Sequence, residues 1–265
     1  MNIHEKIEQL SNEGYSFDFG KYINDGYKYF KSQAWIFIGF FIISVFMTIA
    51  GSFIPFVGSI ASQILSLTFY VGYFVAAQKV KNNTEISLND FFTGFKSITR
   101  IALIQLILMG IALLILIPLL IFLISILFSG FSEIFLNKLD TNQLSVNDLL
   151  QLFEADGIIL MVVITSILYM TFQILYTFSA ANAHFFNLGP WEAMEASRKI
   201  IQKKFFHFLG LTCIIAFINL IGLACLIIGL AVTIPLSYTI FYAAYDDIVK
   251  LGSTTVESEE NLKKY

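Results

Sequence analysis

The stretch from Phe205 to Tyr245 carries no Asp, Glu, Lys or Arg. A helix needs roughly 20 apolar residues to cross a bilayer, at 1.5 Å of rise each. This stretch is about twice that long, so it reads as two spans joined by a tight turn. Ser32–Gln78 and Ile101–Ser132 are likewise free of charge. Backbone in lipid must satisfy its own hydrogen bonds, which a helix does within one segment. The expected fold is therefore all-α: a polytopic membrane protein with transmembrane helices near 33–53, 57–78, 101–128, 157–183, 205–226 and 229–248.

Polar segments punctuate these runs. Phe19, Tyr22, Ile23, Tyr27 and Phe30 recur at helical spacing, which predicts an amphipathic helix over 18–31. Leu88, Phe91, Phe92, Phe95 and Ile98 form a second stripe over 88–99, started by Ser87 with Asp90 three residues on. Trp191, Met194 and Ile201 mark a third helix over 190–203, opened by Pro190. All are too polar to span, so each is expected to lie at the interface. The alternative is a soluble helix packed on the membrane domain. Pro55 and Gly58 make the first turn, and Pro118 is the expected kink of the third span. In the 133–156 loop, Ser145 and Asp148 are expected to cap a short helix carrying Leu149, Leu152 and Phe153. The first 15 residues, with Glu5, Glu8 and Glu13, read as a polar lead-in without a cleavable signal peptide. Residues 249–265 read as a disordered cytoplasmic tail.

A shift of 171 residues aligns the first and last thirds. Gly39, Gly51 and Gly58 meet Gly210, Gly222 and Gly229. Ile23, Gly26, Lys28 and Phe30 meet Met194, Ser197, Lys199 and Ile201, and the middle helix offers Phe91, Gly94, Lys96 and Ile98. Alanine pairs close each second span: Ala76-Ala77, Ala180-Ala181 and Ala243-Ala244. The chain thus reads as three parallel units, each an amphipathic helix followed by a helical hairpin. The glycines are expected to let helix backbones approach closely. Lys28, Lys96 and Lys199 are expected at the headgroup level, in contact with anionic lipid.

Of the 16 Lys and Arg, only Lys138 falls in the loops that alternate with the lysine-rich ones. The positive-inside rule therefore predicts both termini and all three amphipathic helices on the cytoplasmic face.

Ionisable groups buried in a membrane are the usual mark of function, and these spans hold none at depth. That argues against proton-coupled transport. His4, His184 and His207 are scattered, so no metal or other cofactor is expected. Cys213 and Cys225 read as small core residues. A net charge of −3 argues against nucleic acid as a partner. The polar groups within the spans are Gln63, Gln105, Gln173, Asn182 and Asn219. They either hydrogen-bond neighbouring helices or line a substrate cavity.

The stretches GPWEAMEASRKIIQKKFFHFLG and GLAVTIPLSYTIFYAAYDDIV, with Ser197, Lys199, Pro235 and Tyr242 to Asp246, resemble a group of uncharacterised bacterial membrane proteins. They also resemble the membrane domain attached to some glycerophosphodiester phosphodiesterases. The resemblance covers the last third well and the rest only through the repeat. It implies a six-span bacterial inner-membrane protein and brings no catalytic residues. The functional expectation is a non-catalytic scaffold, assembly factor or complex subunit, with a membrane protein as partner. The alternatives are a transporter or channel for a neutral or lipid-like solute, and a membrane enzyme acting on lipid at the cytoplasmic face.

Overall fold

The computed structural model describes residues 3–53, 55, 57–138 and 157–249. The expected helix near Ser145 and the expected disordered tail lie outside the described residues. Among the described residues every regular element is helical, and six helices are long and apolar enough to cross a membrane. In chain order they are α1 (Ile3–Glu13), α2 (Phe19–Ser32), α3 (Ala34–Ser52), α4 (Gly58–Lys81), α5 (Leu88–Phe91), a 3-10 stretch (Phe92–Ser97) and α6 (Ile98–Lys138). Then follow α7 (Ile158–Leu175), α8 (Ser179–Phe185), α9 (Pro190–Lys203), α10 (Phe205–Ala224) and α11 (Leu226–Val249).

The described residues form two compact units, one from the parts of the chain up to Gln105 and from Ile174 on, the other from within Leu106–Gln173. In the larger, α4 and α11 are the interior. Every residue from Thr68 to Ala77 is buried, as is nearly all of Thr239–Val249. Helix α3 packs on α4 and α10 on α11, while α2 packs on both α11 and α4. The three alanine pairs are all buried. A methyl side chain lets neighbouring helices close in, which is the main source of packing where lipid tails supply no hydrophobic drive. Aromatic rings fill the rest: Phe40 stacks on Phe91 at 4.3 Å, and Tyr73 meets Phe40, Phe91 and Tyr238 at 5.2, 5.4 and 4.7 Å.

The smaller unit holds the apolar body of α6, with Pro118 inside it, and most of α7. Its side chains turn outward: Leu114, Ile121, Ile124, Phe128 and Ile159 are all more than half exposed. Such a surface suits the interior of a bilayer.

Four boundaries differ from expectation. Residues 3–13 form a helix, α1, which packs on α9; Lys6 and Ile7 are buried, and Tyr15 Oη donates to the Ile200 carbonyl at 2.7 Å. Its spacing of Ile3, Ile7 and Leu10 is amphipathic despite the polar composition. The 88–99 segment is one helical turn plus a 3-10 stretch that runs straight into α6. It is held that way by backbone contact: a Cβ on Gly72 would lie 2.7 Å from the Phe91 carbonyl carbon, and one on Gly94 3.3 Å from that of Thr68. Helix α6 continues past the expected end near 128 to Lys138.

The fourth difference is a break in the expected 157–183 span. Helix α7 ends at Leu175 and α8 begins at Ser179. No Pro or Gly lies between them. The cause sits on α9: the Ser197 hydroxyl donates to the Leu175 carbonyl at 2.8 Å and accepts from the Phe178 N–H at 3.1 Å. It thereby satisfies the two backbone groups that the break would otherwise orphan.

Candidate functional site

Two places in the larger unit concentrate polar groups. The first is the end of α11, Tyr242 to Asp247. Helical spacing sends these side chains to different neighbours. Asp246 pairs with Lys81 of α4 at 2.6 Å and accepts from Tyr242 Oη at 3.4 Å. Asp247 pairs with Lys21 of α2 and accepts from Tyr22 Oη at 3.0 Å. Tyr245 Oη donates to Asn182 Oδ1 at 2.9 Å, and Asn182 Nδ2 donates to the Ala193 carbonyl at 3.2 Å. One helix end is thus tied to α2, α4 and α8, and through Asn182 to α9. The hydrogen bond to Asp247 raises the Lys21 pKa, and burial, helped by Asp247, raises that of Tyr22. Both shifts hold Lys21 protonated and Tyr22 neutral at neutral pH.

The second place is a pocket of about 210 Å³ between α3, α4 and α11. Phe41, Phe69 and Ile234 give it an apolar wall, and Ser44, Thr48, Ser66, Tyr70, Tyr73 and Tyr238 add hydroxyls. Val45 and Ile49 in its lining are exposed, so it meets the outside on the flank of the helices. Tyr70 is 9% exposed and Tyr73 1%, and neither hydroxyl has a hydrogen-bond partner in the protein. The Ser44 hydroxyl lies beside Tyr73 but outside hydrogen-bond geometry, and donates to the Phe41 carbonyl at 2.8 Å.

The amides singled out from sequence do not line this pocket. Gln105 donates to Gln63 at 2.9 Å, Gln173 to Tyr169 Oη at 2.9 Å, and Asn219 to Ser237 Oγ at 3.0 Å, while Asn182 belongs to the α11 brace. Among them, Asn219 Oδ1 is buried without a partner. Lys28, Lys96 and Lys199 are exposed on three separate segments, with Asp25 3.7 Å from Lys28 and Glu195 3.9 Å from Lys199. Gly51 and Gly58, and likewise Gly222 and Gly229, sit where hairpin backbones nearly touch. A Cβ on Gly58 would lie 2.6 Å from the Ser52 carbonyl oxygen, and one on Gly229 2.8 Å from Cys225 Cβ. A Cβ on Gly210 would meet the Phe19 ring at 3.3 Å, but Gly39 faces open space, so only its partner in the repeat closes a contact.

Cys213 and Cys225 are exposed rather than core residues, because both project from the outer side of α10 and its turn. His184 Nδ1 lies 3.0 Å from Ser97 Oγ, whereas His207 sits among Phe17 and Phe19. The described residues contain no group of three or more His, Cys, Asp or Glu able to hold a metal. Sequence reading passed over the pocket because Ser, Thr and Tyr are ordinary in spans. The available signal was their spacing: Ser44 and Thr48, then Ser66, Tyr70 and Tyr73, at i, i+4 and i+7 on facing helices. No family model, curated protein or solved structure matches the chain.

Proposed function

We propose that the chain is a non-catalytic multi-pass protein of a bacterial inner membrane, a scaffold, assembly factor or complex subunit, with both termini on the cytoplasmic side. The observation that carries this is the bracing of the α11 end, where Asp246, Asp247 and Tyr245 tie it to α4, α2 and α8, and Asn182 extends the tie to α9. Charges and amides engaged in this way stiffen a platform and leave little free for turnover. The likeness to a membrane domain that accompanies phosphodiesterases fits a module of that kind.

Three contacts support reading the chain as repeated units. Gly26 of α2 abuts Ile240 of α11, Gly94 abuts Thr68 of α4, and Ser197 of α9 bonds the α7–α8 break. In each case the small residue of one amphipathic segment meets the second span of the preceding hairpin, with the first segment meeting the last hairpin.

The topology has a direct check in a variant lacking Cys213 and Cys225. Cysteines introduced at Ser52 and at Glu85 are expected to react with an impermeant thiol reagent from opposite sides of the membrane, Glu85 from the cytoplasm. Photocrosslinkers at the exposed Trp191 are expected to capture a discrete membrane protein in cells, while ones at Leu114 capture lipid. Movement of a neutral lipid-like solute across vesicles by the purified protein would replace the scaffold reading with the transporter one.

Lys28, Lys96 and Lys199 are read as headgroup contacts, each worth about 1 kcal/mol with an anionic surface. Changing all three to Gln is expected to lower the anionic lipid retained through purification. Unchanged lipid content would remove that role.

A further inference from the structure

We propose that the pocket between α3, α4 and α11 is a binding site for an uncharged, carbonyl-bearing ring molecule dissolved in the bilayer interior, of the prenyl quinone type. Four features of the pocket lead there. The first is depth: Ser44, Tyr70 and Tyr238 each fall near the middle of their helices, α3, α4 and α11. A ligand that keeps a hydrated or charged headgroup would have to bring it to the most costly level of the membrane. The second is charge: the lining contains no Asp, Glu, Lys, Arg or His to meet an ion. The third is size. An engineered apolar cavity of about 150 Å³ accepts benzene, and this one, at about 210 Å³, has room for a larger ring.

The fourth feature selects the polar chemistry. Tyr70 and Tyr73 carry buried phenol hydroxyls without partners. A buried donor left unmade is costly, and a tyrosine hydroxyl in a core normally finds an acceptor. The Ser66 and Thr48 hydroxyls at the pocket can bond back to their own helices, as Ser66 Oγ does to the Ser62 carbonyl at 2.9 Å. The two phenols make no such local bond, and Ser44, the hydroxyl beside Tyr73, is bonded to the Phe41 carbonyl. What they lack is an acceptor, and a quinone presents two carbonyl oxygens on a flat apolar ring. Tyr73 and Tyr238, with ring centroids 4.7 Å apart, and Phe69 and Phe41 line the pocket with aromatic rings against which a flat ring can pack. The prenyl tail leaves through the flank at Val45 and Ile49 into lipid.

The test uses the full-length protein in detergent and, as probe, a naphthoquinone with a short prenyl tail. Saturable binding is expected in the wild type, and the double variant Tyr70→Phe/Tyr73→Phe is expected to bind at least tenfold more weakly. Because that variant removes only unpartnered hydroxyls, its ligand-free melting temperature is expected to equal or exceed that of the wild type, which separates lost binding from lost folding. Ser66→Leu, which narrows the pocket, is expected to weaken binding as well. Diacylglycerol, whose ester carbonyls belong at the interface, is not expected to displace the probe at equal concentration. The proposal is overturned by absence of saturable binding, by an affinity within twofold of wild type in the double variant, or by displacement with diacylglycerol.

Discussion

Ser197→Ala is expected to lower the melting temperature of the purified protein more than the removal of any exposed serine hydroxyl. The Ser197 side chain is fully buried, and its hydroxyl is the partner of both the Leu175 carbonyl and the Phe178 N–H. Alanine keeps the volume within one atom but leaves both backbone groups unmade. A buried unsatisfied group costs about 1–3 kcal/mol, so the pair should cost about 2–4 kcal/mol once some relaxation is allowed. In a protein of this size that is a fall of roughly 5–15 °C. Ser125→Ala is the control, because that hydroxyl bonds only the Phe122 carbonyl on its own exposed turn. If the two variants melt together, the α7–α8 break is held by something other than Ser197. A second result is expected in the same variant. Phe178 packs on Phe208 and Tyr245 at 5.5 and 4.9 Å, so straightening of the break should disturb the ring cluster under the α11 brace.

The break also marks where sequence reading stops. The spans were legible because charge-free runs of the right length have one solution in lipid, and all six reappear in the structure. The amphipathic stripes at α2 and α9 were legible because helical spacing and caps agree: Asp18 accepts from the Lys21 N–H, and Glu192 from the Gly189 N–H. The interruption at 176–178 was not, because the residue responsible lies some 20 positions away on another helix. Nor did composition tell which spans lie inside. The least apolar, α4 and α11, are the most buried, and the most apolar stretch, within α6, contains no buried residue. That order is the reverse of a soluble protein's. In lipid the small and hydroxyl-bearing residues face helices, while Leu and Ile face the solvent they dissolve in. The same inversion hid the pocket: the amides drew attention, yet each of those side chains makes a hydrogen bond, whereas the phenol hydroxyls of Tyr70 and Tyr73 make none.

Glycine substitutions at two spans should move stability in opposite directions. Gly39→Ala is expected to stabilise, since a Cβ there meets nothing within 4 Å and the residue lies inside α3. Gly inside a helix costs roughly 0.5–1 kcal/mol relative to Ala, and the melting temperature should rise by a few degrees accordingly. Gly72→Ala is expected to destabilise strongly. Its new Cβ would overlap the Phe91 carbonyl oxygen and come within 3.0 Å of the Phe91 Cα, all of it backbone that no rotamer change can clear. Moving that backbone moves the Phe91 ring, which is fully buried against Phe37, Phe40 and Tyr73. Overpacking of this kind costs about 1–3 kcal/mol, and the rigid obstacle puts Gly72→Ala at the upper end. That corresponds to a fall of roughly 6–12 °C. Both helical propensity and the size of the added group are the same in the two variants, so the difference between them reports only what each methyl touches. Equal shifts would mean that the α5 segment does not press on α4 as described, and the close contact at Gly72 would have to be abandoned.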